Sequence, residues 1–189
     1  MRVSSPSQIA VSVTLLLPAF CLAQLPPEES LAPFVPAPQA VVEQMLRAAE
    51  VKQGETVYDL GCGDGRVLIT AAKEFGARAV GVEIKDKLVT DTRKKVAAMG
   101  LMPQVEIIHG NALNVDLSKA DVVTLFLLTK SNELLRPNFE KYLRPSARVV
   151  SYYFEVPGWK PWKVEEVSLD NKVHKIYVYK MELIAKPRK

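Results

Sequence analysis

The feature that most constrains this chain is the run VYDLGCGDGRV at residues 57–67. Its first residues favour an extended strand, whereas Gly61, Gly63 and Gly65 permit a tight turn that a Cβ would obstruct. Apolar residues then repeat at helical spacing over residues 67–75. A glycine loop between a strand and a helix presents free backbone N–H groups to a ligand, so the run predicts a site for a nucleotide-type cofactor.

The spacing of the glycines narrows the choice of cofactor. A dinucleotide site has the pattern GxGxxG, but its third glycine position is occupied here by Arg66, and the pattern of this chain is GxGxG. Asp59 stands just before the first glycine. A carboxylate there suits a ligand that carries an amino-acid cation, and it would repel a pyrophosphate. The loop therefore predicts S-adenosyl-L-methionine as the cofactor.

Two further strands end in side chains that suit an adenosine. One apolar strand ends at Glu83, whose carboxylate can accept hydrogen bonds from both hydroxyls of a ribose. The next, within residues 105–113, ends at Asn111, an amide that can pair with an adenine edge. The predicted cofactor-binding residues are Asp59, Gly61, Cys62, Gly63, Gly65, Glu83, Asn111 and Ala112.

The remaining patterns predict one α/β domain. With 189 residues, 48% of them apolar, the chain can build one good core and is too short for a second sizeable domain. The last two strands alternate around Asp170 and Asn171, a good pair for a hairpin turn. Further helices are predicted at residues 38–51, 86–99 and 132–142, the last bent or restarted by Pro137, and further strands at 121–128, 147–154, 162–167 and 173–181.

These motifs resemble those of class I S-adenosylmethionine-dependent methyltransferases over residues 33–180. The segments PFVPAP, VYDLGCGDGR, ADVVTLFLL and ARVVSYYF are similar to small prokaryotic relatives of the ATP synthase c subunit and adenine nucleotide translocase lysine methyltransferases. The resemblance implies a Rossmann-like class I methyltransferase fold with a mostly parallel central sheet, a closing antiparallel hairpin and helices on both faces. It also implies transfer of a methyl group to a protein lysine.

Methyl transfer from a sulfonium is an in-line displacement, so we expect the enzyme to align the nucleophile and exclude water, and no catalytic residue is assigned. A lysine must first lose a proton, which an apolar aromatic pocket favours by lowering the pKa of the amine. Phe126, Tyr152 and Tyr153 lie at the ends of the fourth and fifth strands. They either form such a pocket or pack under the flanking helices.

Two more residues are candidates for the acceptor side. Phe34, in the segment PFVPAP, either packs near the methionine end of the cofactor or belongs to a rigid cap for the next helix. Asn132 either orients the substrate or caps the helix after the fourth strand. The surrounding run LLTKSN lacks the Asn-Pro-Pro-aromatic signature of the enzymes that methylate amide or base nitrogens.

The N-terminus has the pattern of a secretory signal peptide. Arg2 precedes an apolar run at residues 9–20, and a small-residue cleavage site follows. The predicted domains are a signal peptide at 1–23, a proline-rich linker at 24–37 and a methyltransferase domain at 38–189. This order predicts a periplasmic or membrane-associated protein, whereas a misassigned start codon would leave it cytoplasmic.

Charge, cysteine and histidine usage exclude other classes of function. The net charge is +4 and the basic residues are scattered among acidic ones, so we expect no nucleic-acid partner. Cys21 leaves with the signal peptide, and we expect Cys62 to fill space beside the cofactor rather than to act as a nucleophile. His109 and His174 have no partners at ligand spacing, so no metal is expected.

The sequence thus predicts a methyltransferase that acts, as a monomer, on a small or membrane-associated protein. Two alternatives remain open. One is a small-molecule methyltransferase. The other is an exported protein that binds S-adenosylmethionine without catalysis, because this cofactor is made in the cytosol.

Overall fold

The computed structural model describes residues 30–184. The helices are α1 (Gln39–Ala48), α2 (Arg66–Phe75), α3 (Asp86–Ala98), α4 (Thr129–Tyr142) and α5 (Met181–Ile184), with a 3-10 turn at Ala112–Asn114. The strands are β1 (Thr56–Leu60), β2 (Arg78–Glu83), β3 (Val105–His109), β4 (Val122–Leu125), β5 (Arg148–Tyr152), β6 (Lys163–Leu169) and β7 (Lys172–Lys180). The predicted signal peptide and residues 24–29 of the predicted linker lie outside the described residues. Among those described, no helix has the length and apolar composition needed to cross a membrane.

Within residues 30–184, seven strands form one sheet in the order β3-β2-β1-β4-β5-β7-β6. Strands β1 to β5 are parallel, and β7 runs antiparallel to both β5 and β6. The strand order reverses between β1 and β4, which leaves a crevice at their carboxyl ends, the place where such sheets bind ligands. The predicted Rossmann-like α/β fold, with its mostly parallel sheet and closing hairpin, is confirmed.

The sheet separates two hydrophobic cores. Helices α1, α2 and α3 cover one face through buried residues such as Val42, Leu68 and Val89. Helix α4 covers the other face through Leu135 and Phe139, both fully buried. The prediction of helices on both faces is confirmed, and burial of these side chains supplies most of the driving force that holds the layers together.

Helix α4 differs from its prediction in two ways. It begins at Thr129 rather than at residue 132, and it continues through Pro137 without restarting. Proline has no N–H for the helical hydrogen bond. Leu135 and Phe139, two residues before and two residues after the proline, are fully buried, and this burial outweighs the lost bond.

Strand β4 is shorter than its apolar run predicts. It ends at Leu125, after which Phe126 and Leu127 turn toward the cavity described below. A Cβ added to Gly61 would lie 3.1 Å from Leu127 Cδ2, so the side chain rests against the glycine loop. The sequence pattern could not reveal this end, because side chains that line a cavity are as apolar as those buried in a strand.

The hairpin of β6 and β7 turns at Asp170 and Asn171, as predicted. Both residues have left-handed backbone angles, with φ of 50° and 58°. Two consecutive left-handed residues form the turn whose twist matches that of the paired strands, and Asp and Asn tolerate this conformation well. The hairpin prediction is confirmed.

Gly81 allows the glycine loop and α2 to pack closely on β2. A Cβ added there would lie 2.6 Å from Cys62 Sγ and 2.5 Å from Leu68 Cδ1. Both neighbours are buried, so neither has much room to move. The position of the loop above β2 therefore depends on the missing side chain.

We expect Gly81→Ala to lower the free energy of unfolding by roughly 1–3 kcal/mol, because the added methyl group overpacks this space. Cys62→Ala removes one of the crowded atoms, so the double variant should recover part of the loss. Urea unfolding followed by circular dichroism measures both, with Cys62→Ala alone as the control. An equal loss with and without the Cys62 substitution would contradict this packing.

Candidate active site

The carboxyl ends of the parallel strands open into a cavity of about 880 Å³, counting its open mouth. Its walls bring together most of the predicted site residues. These are Phe34, Asp59, Gly61, Cys62, Gly63, Glu83, Asn111, Ala112 and Phe126. The other predicted residues, Gly65, Asn132, Tyr152 and Tyr153, are not among the residues that line the cavity.

The glycine loop is tied to the end of β2 by its backbone. The N–H groups of Gly61 and Cys62 both donate to the carbonyl of Val82, at 2.8 Å and 3.0 Å. Gly61 and Gly63 have φ of 80° and 53°, angles that residues with a Cβ rarely adopt. The loop is thus fixed in place before any ligand binds.

Helix α3 supports the loop from behind. Thr92 Oγ1 donates to the carbonyl of Gly63 at 2.8 Å. A Cβ added to Gly65 would lie 2.5 Å from Thr92 Cγ2, so this glycine is needed for close packing rather than for lining the cavity. Gly65, with φ of 74°, is also the N-cap residue that directly precedes α2.

Glu83 completes the attachment of the loop. Its Oε2 accepts from the N–H of Gly63 at 3.0 Å, and its Oε1 accepts from the N–H of Lys85 at 2.9 Å. The residue is buried but lines the cavity. Each carboxylate oxygen can accept more than one hydrogen bond, so the hydroxyls of a ribose fit beside the two N–H groups already bound.

Asp59 is the buried acid at the floor of the cavity. Thr124, its neighbour on β4, donates to Asp59 Oδ1 at 2.6 Å. Burial raises the pKa of Asp59 to about 7, and the charges of Glu83 and Asp64 add to this effect, whereas the hydrogen bond from Thr124 opposes it. A cationic ligand group would relieve the cost of the buried charge, which fits the amino-acid end of S-adenosylmethionine.

Asn111 directly precedes the 3-10 turn that follows β3 and caps it. Its Oδ1 accepts from the N–H of Leu113 at 2.9 Å, and this bond fixes the side chain at the cavity wall next to Ala112. The amide group keeps its capacity to donate to an adenine edge. Together with Glu83 and the glycine loop, Asn111 fits the adenosine part of the predicted cofactor.

Cys62 packs under the loop. It is buried against Gly81. Burial raises the pKa of its thiol above the ordinary value, and the charges of Asp59 and Glu83 add to the effect. The thiolate is therefore disfavoured, and the position suits a space-filling role.

Within residues 30–184, no three His, Cys, Asp or Glu side chains converge as metal ligands.

Residues 30–37 form one wall of the cavity, and we refer to them as the strap. The carbonyl of Leu31 accepts a hydrogen bond from Ser131 Oγ on α4. At the other end, the carbonyl of Ala37 accepts from Arg66 Nη1, and Arg66 is held by a bidentate pair with Asp64. The described part of the predicted linker is thus an anchored component of the site.

Phe34 lies at the middle of the strap, over the glycine loop. A Cβ added to Gly63 would lie 2.5 Å from Phe34 Cε2. The alternative prediction was that this segment caps the next helix. Pro38, the last residue of PFVPAP, occupies the cap position of α1, and its carbonyl accepts from the N–H groups of Val41 and Val42. One segment therefore covers the loop and also begins α1.

Aromatic side chains follow β4 and β5. The rings of Phe126 and Tyr152 lie 4.3 Å apart, and those of Tyr152 and Tyr153 lie 6.0 Å apart. Tyr152 is buried, and its hydroxyl lies 2.6 Å from His174 Nδ1 on β7. Tyr153, in contrast, is 56% exposed. Phe126 lines the cavity, Tyr152 packs against Phe126, and Tyr153 lies next to Tyr152 at the protein surface.

The interpretation of Asn132 as a helix cap is wrong. Leu128 occupies the cap position of α4, and Asn132 lies inside the first turn with its side chain fully buried. Its Nδ2 donates to the carbonyls of Phe154 and Glu155, at 3.2 Å and 3.1 Å. The helix starts earlier than predicted, which turns this amide toward the segment after β5.

Several supporting residues escaped prediction. Thr124 holds Asp59, Thr92 holds the glycine loop, and Ser131 and Arg66 hold the strap. The signal for Thr124 was available, because it is a polar residue within an otherwise apolar strand. The other contacts join segments that are distant in the sequence, and no local pattern marks them.

The sequence profile of the ANTKMT methyltransferase domain matches residues 59–163. The chain is 49% identical over 148 residues to the protein-lysine N-methyltransferase of Saccharolobus islandicus, a match that covers 78% of this chain and 92% of that protein. It is 31% identical over 138 residues to the human lysine N-methyltransferase that is named for the C subunit of ATP synthase. The latter match covers 73% of this chain and 58% of the human protein.

A solved structure is also similar to this chain. It is the crystal structure of an RNA methyltransferase from Salinibacter ruber in complex with S-adenosyl-L-homocysteine. The TM-score is 0.73 at 40% sequence identity, and the match covers 78% of this chain and 94% of that chain.

The raised pKa of Asp59 predicts a pH dependence of stability. The folded protein holds this proton up to about pH 7, whereas the unfolded chain loses it near 3.8. Stability should therefore fall as the pH rises from about 4 to about 7, by up to about 4 kcal/mol, and change little above. Asp59→Asn has no such proton to lose.

We expect Asp59→Asn without ligand to be more stable than the parent at pH 8 and to bind S-adenosyl-L-homocysteine more weakly, because the amide cannot neutralise the ligand's ammonium group. Urea unfolding at pH 5 and pH 8 and calorimetric titration measure the two effects. The same difference in stability between pH 5 and pH 8 for parent and variant would contradict the assignment to Asp59.

We expect Phe34→Ala to accelerate dissociation of S-adenosyl-L-homocysteine roughly tenfold, since the ring that covers the glycine loop is lost. Stopped-flow fluorescence with a labelled analogue measures the rate. Phe34→Tyr keeps the ring and serves as the control. Equal dissociation rates for the parent and the alanine variant would show that the strap does not retain the ligand.

Proposed function

The chain belongs to the ANTKMT methyltransferase family, and we propose that it is a protein-lysine N-methyltransferase. The prediction of a methyltransferase that uses S-adenosylmethionine is confirmed by the relatives. The lysine acceptor is supported by the S. islandicus relative, which matches over nearly its whole length.

The observation that carries the proposal is the row of aromatic rings that runs from Phe126, which lines the cofactor cavity, through the buried Tyr152 to the exposed Tyr153. The ammonium group of a lysine must lose a proton before it can attack a methyl group. Removal from water next to apolar rings lowers the pKa of the amine and favours the neutral form. The face of an exposed ring such as that of Tyr153 also attracts the cation on its approach.

The remaining chemistry requires alignment more than proton transfer by the chain. When bound, S-adenosylmethionine supplies a methyl group on a sulfonium. Glu83 and Asn111 would hold the adenosine, and Asp59 would hold the amino-acid end. The strap excludes water from the glycine loop. Fixing the reacting atoms in line accounts for much of the rate enhancement in such reactions.

The open acceptor side supports a macromolecular substrate. Only residues 153–162 connect β5 to β6, and they contain no helix or strand that could cover the site. Tyr153 is accordingly exposed to solvent. A small-molecule methyltransferase needs a closed pocket to bury its acceptor. The open edge therefore favours a protein acceptor, which we take to be small or membrane-associated, bound by a single copy of the chain.

The proposal is tested by incubating the full chain with methyl-labelled S-adenosylmethionine and cell lysate. We expect label that is released by protease, resists RNase and maps to lysine by mass spectrometry. Gly61→Val is the control that lacks activity, because a β-branched residue is strained at φ of 80° and the added side chain meets Leu127.

Other outcomes of this experiment identify the alternatives. RNase-sensitive label would overturn the lysine proposal in favour of an RNA acceptor, the substrate class named for the S. ruber protein. Label confined to small molecules would favour a small-molecule methyltransferase. Binding of S-adenosylmethionine without any transfer would favour an exported binding protein.

A further inference from the structure

The segment after β5 contains a strained turn. Tyr153 has φ of 68°, and the N–H of Phe154 donates to the carbonyl of Tyr152 at 2.8 Å, which closes a three-residue γ-turn around Tyr153. This type of turn is rare and strained for a residue with a side chain. Glycine would adopt it freely. Burial does not explain the choice of tyrosine either, because the side chain is 56% exposed.

The turn is held from helix α4 by Asn132. Its Nδ2 donates to the carbonyls of Phe154 and Glu155, the two residues that follow Tyr153. Ser151 Oγ also donates to the carbonyl of Phe154 and lies 3.3 Å from Asn132 Nδ2. The Asn132 and Ser151 side chains are buried, so their hydrogen bonds are costly to break.

The side-chain oxygen of Asn132 indicates that the important part of this residue is its NH₂ group, which donates hydrogen bonds. Among residues 30–184, Asn132 Oδ1 is a buried polar atom without a hydrogen-bond partner. An apolar residue of similar shape would avoid this unfavourable burial. Asparagine is nevertheless present, and its NH₂ group is the part that makes contacts.

We propose that Asn132 is a positioning residue, which holds Tyr153 in the strained turn so that the exposed ring forms the outer edge of the acceptor site. This inference rests on the proposed methyl transfer and adds the means by which the acceptor is guided. The ring of Tyr153 is fixed between those of Tyr152 and Phe154, at 6.0 Å and 5.2 Å. Tyr152 in turn contacts Phe126 in the cavity wall.

The strain is tested by comparing Tyr153→Gly with Tyr153→Ala, which both lack the ring. Glycine relieves the positive φ, so its Tm should be higher than that of the alanine variant by roughly 2–4 °C. Both should lower kcat/KM for the acceptor roughly tenfold or more and leave the Kd of S-adenosyl-L-homocysteine unchanged. Full acceptor activity in Tyr153→Gly would overturn the proposal.

The role of Asn132 is tested by a double-mutant cycle. In the parent, Asn132→Ala should lower acceptor kcat/KM roughly tenfold. In the Tyr153→Gly background the same change should cost less than twofold, because the ring that it positions is already gone. Equal losses in both backgrounds would show that Asn132 acts on folding alone and would overturn the proposal. Lys141 is an exposed residue on the same helix, so Lys141→Ala is the control and should leave kcat/KM for the acceptor unchanged in both backgrounds.

The cycle uses the acceptor that the labelling experiment identifies, so the two proposals fail separately. If the acceptor is RNA, the lysine assignment fails, and the coupling between Asn132 and Tyr153 is measured with that RNA. If the acceptor is a protein lysine and the two residues do not couple, only the positioning role fails. If no acceptor is methylated, there is no acceptor for Tyr153 to guide, and both proposals fail.

Discussion

The site depends on the attachment of the glycine loop to the end of β2. The carbonyl of Val82 and the carboxylate of Glu83 accept three N–H groups of residues 61–63. These bonds hold Gly61 and Gly63 at positive φ, and the absence of a side chain at Gly81 lets the loop lie close to the strand. Every other part of the cavity, from Asn111 to the strap, is arranged around a loop that is already rigid.

Three carboxylates lie within this small region, and the chain neutralises them unequally. Glu83 accepts two backbone N–H groups, and Asp64 pairs with the guanidinium of Arg66, which lowers the pKa of Asp64. Asp59 has a hydroxyl donor, Thr124, and burial raises its pKa. Asp59 is therefore the acid whose charge a cationic ligand would stabilise most, which supports the proposed role of Asp59 toward the amino-acid end of the cofactor.

The fold could be predicted because its elements are marked locally, by three glycines in the loop, apolar runs in the strands and Asp170-Asn171 in the hairpin. The residues predicted to bind the cofactor lie within the last residues of strands or just after them, so they were also accessible to sequence reasoning. The contacts of the strap and the hydrogen bonds from Asn132 to the turn at Tyr153 could not be predicted in this way. Ser131 and Leu31 are 100 residues apart, and Asn132 contacts a turn after β5. Such pairs depend on packing of the whole chain, which no local period encodes.

The two sides of the site differ in how they are closed. The donor side is crossed by a strap that is anchored at Leu31 and at Ala37, whereas the acceptor side is left open beyond Tyr153. In the proposed reaction, a spent donor leaves a cavity that has the anchored strap as one wall, whereas a methylated side chain withdraws past an uncovered edge. For the proposed reaction we therefore expect the acceptor to be released more easily than the donor, which favours distributive methylation, in which each methyl group is added during a separate encounter.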